Sequence, residues 1–196
     1  MFALYRLSMC GSIMATAKTG SFYLTETVTL PTASASGTRV QASIDLGAYV
    51  NVATGQAVAI ESVDFVYQWS SNYNGAGAGM LAGNGAVSAQ LTDLNPSTAF
   101  LRADDHSLVA SGSLNIDDTN NITSNETDLY PDNFGPAALS EAFLVVNDTL
   151  YLVGGNNNAA VGGSDAFVTA RIKCRVVKLG TKDWMAIAIQ STASDN

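Results

Sequence analysis

The residue types that most often carry enzyme chemistry are sparse in this 196-residue chain, which contains one histidine, His106. It stands in the run Asp104-Asp105-His106-Ser107, which has the residue types of a serine hydrolase triad. A triad is assembled in space, however, and the chain has no Gly-x-Ser-x-Gly nucleophile elbow. One histidine also excludes a metal site built on a histidine pair. The pattern therefore favours a solvated turn around His106.

Two acidic doublets, Asp104-Asp105 and Asp117-Asp118, are the next candidates for acid–base or metal chemistry. Adjacent residues of a strand point to opposite faces, so neither doublet makes a catalytic carboxylate pair there. In a loop, the run from Asp117 to Asn121 could bind Ca²⁺, but the glycine and distal glutamate of an EF-hand are missing at the required spacing. We favour solvated turns, and we expect no metal, no cofactor and no enzyme activity.

Glycine-rich and aromatic segments have weak functional interpretations. Gly77 to Ala82 matches a relaxed dinucleotide-binding fingerprint, but the strand and helix that must flank such a motif are not predicted around it. Phe65, Tyr67 and Trp69, with Tyr73 beyond them, could stack on a sugar or a base. The first three occupy alternate positions of a predicted strand, so we favour a place in the core.

The charge distribution is uneven. With 17 acidic and 9 basic residues the formal net charge is −8, which disfavours a general nucleic-acid binder. Arg171, Lys173 and Arg175 nevertheless alternate along one predicted strand and should form a basic stripe on one face of it. We predict that this stripe contacts an acidic neighbouring subunit or faces an anionic lumen. The two cysteines, Cys10 and Cys174, have no Cys-x-x-C spacing, and their redox state stays open.

Alternation of apolar and polar residues predicts most of the secondary structure. A change of parity near Glu61-Ser62 predicts a β-bulge inside one of the strands. The predicted strands are Phe22 to Leu30, Thr38 to Val52, Gln56 to Trp69, Ala86 to Leu94, Thr98 to Ala103, Leu108 to Asn115, Ala142 to Val153, Ala166 to Leu179 and Trp184 to Gln190.

One short helix is predicted, beginning at Pro136 and covering Ala137 to Ala142. Long loops are predicted at 72–85, 117–135 and 154–163. Because the crossover helices of a parallel sheet are missing, the fold class is all-β: an antiparallel β-sandwich, most simply a jelly roll of about eight or nine strands. Residues 1–20 are predicted to be an N-terminal arm and residues 21–196 a single β-sandwich domain.

Composition excludes a disordered chain, since 47% of the residues are hydrophobic and 13% are charged. No run approaches the roughly 20 apolar residues of a spanning helix. The strand-rich body from Phe22 to Gln190 resembles small jelly-roll capsid proteins of environmental phages and archaeal viruses, above all in Ala170 to Leu179 and Trp184 to Gln190. The resemblance implies a shell of many copies. A basic genome-binding arm is missing, because Met1 to Leu30 holds only three charged residues: Arg6, Lys18 and Glu26.

We therefore expect a virion structural protein, a capsid (coat) subunit located in the virion. Its expected partners are copies of itself and other virion proteins, with contact to an internal membrane or the packaged genome but no sequence-specific nucleic-acid binding. The alternative is a secreted or surface β-sandwich module for ligand binding or adhesion, with carbohydrate as one candidate ligand. An unrecognised hydrolase is a third possibility, since sequence order cannot locate a pair of catalytic carboxylates.

Overall fold

The computed structural model describes residues 15–73, 75–126 and 142–192, which form two facing antiparallel β-sheets and one α-helix. Two short 3₁₀ helices, Val52–Thr54 and Gly77–Met80, lie in the connections. The strands are β1 (Thr16–Ala17), β2 (Phe22–Leu30), β3 (Arg39–Asp45), β4 (Gln56–Trp69), β5 (Gly85–Thr92), β6 (Leu108–Asp117), β7 (Ile122–Glu126), β8 (Phe143–Val145), β9 (Thr149–Asn157) and β10 (Ala166–Lys178), and the helix is α1 (Thr181–Thr192).

The strand order is that of a jelly roll. The first sheet has the order β8-β4-β10. On the other edge of β10, β2 pairs with most of the strand and the short β1 pairs with its last two residues. The second sheet has the order β3-β9-β5-β6-β7. The chain passes repeatedly from one sheet to the other, as in the two Greek keys of a jelly roll. The predicted all-β, antiparallel β-sandwich is confirmed.

The core fills the space between the sheets with alternate residues of their strands. Along β10 the side chains of Val168, Ala170, Ile172 and Cys174 are fully buried, while Arg171 on the opposite face is exposed. Strands of the facing sheet contribute in the same way, because successive side chains of a strand point to opposite faces. Fully buried large side chains from both sheets are Leu30, Ile60, Leu91, Leu108, Leu150, Leu152 and Ile172.

The predicted bulge in β4 is confirmed. Lys173 of β10 pairs with Ser62, and the next residue, Cys174, pairs with Ile60, so Glu61 is the extra residue of the longer strand. A bulge lets both halves of β4 keep their apolar residues on the inner face although the parity of the sequence changes.

Two predicted strands are wrong in extent. The strand predicted from Thr38 to Val52 ends at Asp45, because a turn follows in which the amides of Tyr49 and Val50 both donate to the carbonyl of Leu46. The strand predicted from Ala142 to Val153 is divided into β8 and β9. In the first case alternation does not show the turn because Leu46, Ala48, Tyr49 and Val50 are apolar; in the second, the chain passes from one sheet to the other at Asn147-Asp148.

The strand predicted from Thr98 to Ala103 is wrong. Ser97 and Thr98 adopt left-handed backbone conformations, with φ of 52° and 65°, and this breaks an extended chain. Leu101 then forms its hydrogen bonds with a side chain: its amide donates to Oε1 of Gln90 and its carbonyl accepts from Nε2. Gln90 therefore takes the place of a neighbouring strand.

The predicted strand from Trp184 to Gln190 is also wrong, because this segment belongs to α1. Trp184, Ile187 and Ala188 have helical spacing and pack against a second apolar cluster on the outer face of the first sheet. A short, nearly continuous apolar run fits a helix as well as a strand, and here the outer sheet surface selects the helix. Among the described residues no helix is long and apolar enough to cross a membrane.

The predicted loops are partly strands. Residues 154–157 belong to β9, in which Gly154 is required because a Cβ atom there would lie 2.5 Å from Val28 Cγ2. The predicted loop 117–135 contains β7 at its start. Its remainder, residues 127–135, lies outside the described residues, as do positions 137–141 of the predicted helix and residues 1–14 of the predicted arm.

Candidate functional site

The basic stripe, defined as Arg171, Lys173 and Arg175, lies on the outer face of β10 and is joined there by a buried acid. Arg175 contacts the Glu61 carboxylate through its guanidinium group. Lys173 Nζ lies 3.4 Å from Glu61 Oε2, and the Ser21 hydroxyl is 3.2 and 3.0 Å from the two carboxylate oxygens. The bulge of β4 positions Glu61 at this point, so two of the three cations are paired within the chain.

Glu61 is ionised at neutral pH although only 3% of its surface is exposed. Burial by itself would raise its pKa, but the hydrogen bonds from Arg175 and Ser21, together with the charge of Arg175 and the contact of Lys173, hold the pKa below its ordinary value. The cluster of one acid and two bases therefore carries one net positive charge.

Arg171 is the exposed member of the stripe. In the strand register its backbone lies opposite Asp64 of β4 and Thr25 of β2. Its guanidinium carbon lies 5.5 Å from the centroid of the Tyr23 ring. This geometry permits a weak cation–π contact and leaves the guanidinium donors open to a partner. The role of the stripe in subunit contact stays a prediction. Sequence reasoning missed Glu61 as its counter-ion because strand pairing brings together residues 114 positions apart.

An apolar groove adjoins α1 on the same outer face of the first sheet. Its volume is about 830 Å³, and it runs between the Val52–Gly55 turn and the first turn of the helix. Val52 and Met185 line it, and their side chains are 67% and 56% exposed. Ile189, one helical turn beyond Met185, is exposed as well. Sequence reasoning missed this groove because it assigned the helix to a strand.

The aromatic residues of β4 line a second cavity, here called the aromatic cleft, at one end of the sandwich. Phe65, Tyr67 and Trp69 lie on the inner face of β4, where Phe65 is buried in the core and the other two are half-buried at its border. The cleft has a volume of about 400 Å³, and none of the described residues that line it is charged. The remaining lining residues are Val66, Gln68, Tyr73, Gly75, Gly77, Met80, Leu114, Thr123 and Asn125.

The glycine-rich connection between β4 and β5 packs directly on Trp69. A Cβ atom at Gly75 would lie 2.1 Å from Cε3 of Trp69, and one at Gly79 would lie 2.8 Å from Cη2. Only residues without a side chain allow the backbone to approach the indole so closely. Of the glycines in the weak dinucleotide-fingerprint match, Gly79 therefore has a packing role on an aromatic ring, whereas Gly77 lies against Thr123.

Two polar atoms beside the cleft have no hydrogen-bond partner. They are Oη of Tyr67 and Nε1 of Trp69, and both are buried. Burial also raises the pKa of Tyr67 well above its ordinary value, so the hydroxyl stays protonated. Buried donors are nearly always paired in folded proteins, so an unpaired one calls for an explanation.

The structure places His106 and the acidic doublets Asp104-Asp105 and Asp117-Asp118 in or beside turns. His106 lies exposed on a turn, and the Ser107 hydroxyl bonds Oδ1 of Asp105 at 2.7 Å, not the imidazole. Asp117 accepts hydrogen bonds from the amide and side chain of Asn120, which close the turn into β7 and lower the Asp117 pKa. Within residues 15–73, 75–126 and 142–192 no group of three or more histidine, cysteine, aspartate or glutamate residues could hold a metal.

Cys174 is a free, fully buried thiol on the inner face of β10. Burial and the nearby charge of Glu61 raise its pKa to about 12. The sulfur is therefore a packing group at neutral pH, because the thiolate is the reactive form. Cys10 lies outside the described residues.

Comparison with protein-family models found no match to this chain, and comparison with curated protein sequences found none either.

Proposed function

We propose that the chain is a virion structural protein, a capsid subunit that self-assembles into a multi-copy shell. The observation that carries the proposal is the jelly-roll order of the strands, β8-β4-β10-β2 facing β3-β9-β5-β6. Viral capsid subunits use this architecture, as do lectins and cupins. A fold does not assign a function by itself, so the surfaces of the sandwich must also support assembly.

Two surface features support self-association. The first is the apolar groove with the exposed side chains of Val52 and Met185, because soluble monomers rarely leave contiguous apolar patches uncovered. The second is the basic stripe, in which Arg171 offers an unburied guanidinium on a protein of net charge −8. A closed shell needs more than one kind of contact, because a single self-complementary patch produces only a dimer.

In this proposal the groove supplies apolar contact area and the stripe orients an acidic neighbouring subunit. Charge complementarity between subunits sets orientation and association rate more than affinity. The proposed location is the virion, and the proposed partners are other copies of the chain. The net charge of −8 disfavours the subunit as the main neutraliser of a packaged genome.

Electron microscopy and analytical ultracentrifugation of the purified chain test the proposal. We expect closed particles of many copies, and we expect Met185→Lys to abolish them because a second cation then enters the groove, which Lys178 already lines, in place of an exposed apolar side chain. Ile122→Lys is the matched control, since Ile122 is 57% exposed but lies on β7 of the other sheet. Both variants should retain the β-rich circular dichroism spectrum. A wild-type chain that stays monomeric at every concentration and salt tested would contradict the proposal.

Charge reversal tests the stripe separately. Arg171→Glu should weaken assembly without unfolding the chain, because Arg171 has no buried partner and lies exposed on β10. The triple change of Arg171, Lys173 and Arg175 to Glu should abolish assembly, but it also breaks the contacts of Glu61, so circular dichroism must accompany it. Unchanged particles in Arg171→Glu would remove the stripe from the proposed interface.

The aromatic cleft favours the second candidate function, a ligand-binding or adhesion module. Its neutral, aromatic lining resembles the composition of small-ligand sites, which are mostly apolar with a few placed polar groups. The two functions differ in a simple observable: a binding module is a stable monomer with a saturable ligand, whereas a coat subunit forms particles.

A further inference from the structure

The aromatic cleft combines three features that together specify a kind of ligand. The first is its lining, which within the described part of the chain holds aromatic rings, amide and hydroxyl groups but no charge. Trp69 and the 56% exposed Tyr73 belong to one wall, and Thr123 and Asn125 of β7 belong to the other. A ligand that fits this lining is uncharged, has an apolar face for the rings and carries hydroxyl groups for the amide and hydroxyl side chains.

The second feature is the pair of unpartnered buried atoms, Oη of Tyr67 and Nε1 of Trp69. Both can donate a hydrogen bond, and a ligand oxygen would satisfy them. Such a ligand would pair donors that are otherwise left unpaired.

The third feature is the backbone beside the cleft. Ser70 and Tyr73, in the turn that leaves β4, have φ of 68° and 57°, in the left-handed region that non-glycine residues seldom occupy. Such conformations persist only where the surrounding structure holds them, and they cluster at ligand clamps. In this turn the centroid of the Tyr73 ring lies 5.3 Å from the centroid of the Phe167 ring of β10. Tyr73 also lines the cleft.

We propose that the aromatic cleft binds a neutral saccharide, with a sugar ring packed on the Tyr73–Trp69 wall and hydroxyl groups bonded to Thr123 and Asn125. A nucleobase is the competing occupant of an aromatic site, but nucleic acid brings phosphate charge, and the described residues of the lining offer no cation to it. The site is distinct from the proposed assembly surfaces, so it binds sugar whether or not the chain forms particles. On an assembled shell it would be a glycan-binding site of each subunit.

Titration with defined sugars tests the proposal. Isothermal titration calorimetry of the full chain uses glucose, galactose, N-acetylglucosamine, lactose and maltose as neutral probes and oligothymidylate as the anionic one. We expect saturable binding of at least one sugar and none of oligothymidylate. In Trp184→Phe, Trp69 is the only tryptophan left, and its fluorescence should shift with the same affinity.

Two substitutions in β7 locate the site. Asn125→Ala and Thr123→Val should each weaken sugar binding about fivefold, the loss expected for one hydrogen bond. Thr25→Val is the matched control, because Thr25 is an exposed strand residue on the outer face of β2, away from the cleft. It should leave the affinity unchanged.

Three outcomes would overturn the proposal. The first is no binding of any of the five sugars, and the second is preferential binding of oligothymidylate. The third is sugar binding that neither β7 substitution weakens, which would place the ligand elsewhere. If Trp184→Phe does not fold, calorimetry of the β7 variants still locates the site. Failure of particle formation leaves these results intact, so the two proposals fail independently.

Discussion

Replacement of Glu61 by glutamine tests whether a buried carboxylate holds the outer face of the first sheet together. The substitution keeps the size of the side chain and removes its charge. Arg175 and Lys173 then lose their anionic partner, while Ser21 keeps a polar neighbour. Glu61 links β4, β10 and the segment before β2. Its replacement should therefore lower the free energy of global unfolding.

The structure sets the size of the effect. Breaking a fully buried ion pair costs about 3–5 kcal/mol, whereas exposed pairs contribute about 0–1 kcal/mol. Glu61 is 3% exposed, but Arg175 and Lys173 retain 24% and 34% exposure, so water partly solvates both cations after the change. We therefore expect Glu61→Gln to lower the free energy of unfolding by about 2 kcal/mol at neutral pH.

The pH dependence of unfolding provides an independent check that the Glu61 charge stabilises the folded chain. Because the folded-state pKa of Glu61 is lowered, its contribution is present above the unfolded pKa of about 4.3 and is lost as the pH falls through the folded value. The stability difference between wild type and Glu61→Gln should therefore shrink as the pH falls below about 4. At pH 7 the difference should be at its full size.

Urea unfolding followed by circular dichroism at pH 7 and at pH 3 measures both effects. Glu26→Gln is the matched control, since the Glu26 carboxylate accepts only a local hydrogen bond, from the amide of Thr27, among the described contacts. It should change stability by less than about 0.5 kcal/mol. Equal stability of wild type and Glu61→Gln at pH 7, or a difference that grows on acidification, would refute the electrostatic account of Glu61.

Three further substitutions probe the buried groups. Tyr67→Phe removes an unpaired buried hydroxyl and should raise stability by about 1 kcal/mol in urea unfolding. The raised Tyr67 pKa makes the wild type lose stability above pH 10, so Tyr67→Phe should lose less stability than the wild type in that range. A variant less stable than the wild type at pH 7 would show that the hydroxyl is paired. Gly79→Ala should cost about 1–3 kcal/mol because its Cβ would meet Trp69, whereas Gly163→Ala, with open space around it, should be near neutral. In a Cys10→Ser background, Cys174 should resist a thiol reagent at pH 8 until urea unfolds the chain; fast labelling of the folded chain would contradict its burial.

Local patterns in the sequence predict most strands because burial on one face imposes a period of two on the side chains. The strand Phe22–Leu30 is predicted residue for residue, and β10 is predicted to within one residue. The bulge at Glu61 is also visible, because a change of apolar parity in a continuous strand requires an extra residue. Because side chains alternate along a strand, the stripe of Arg171, Lys173 and Arg175 could also be placed on one face of β10.

Some segments follow no local pattern because their conformation depends on distant neighbours. The backbone of Leu101 is satisfied by the Gln90 side chain, so a segment with strand composition stays irregular. Gly154 is part of a strand although glycine is typical of loops. A glycine stands there because Val28 of β2 occupies the space that a side chain would need. The segment after Gly180 becomes helical because the outer sheet offers an apolar surface to Trp184.

The candidate sites show the same division. The sequence determines that Phe65, Tyr67 and Trp69 share a face and that three cations share another, since both follow from the alternation of a single strand. Tertiary structure alone pairs the cations with Glu61, lays Gly75 and Gly79 on the indole, and sets β7 opposite the aromatic wall. The physical reason is that side-chain direction is a local property of the backbone, whereas charge pairing and cavity shape depend on which distant strands become neighbours.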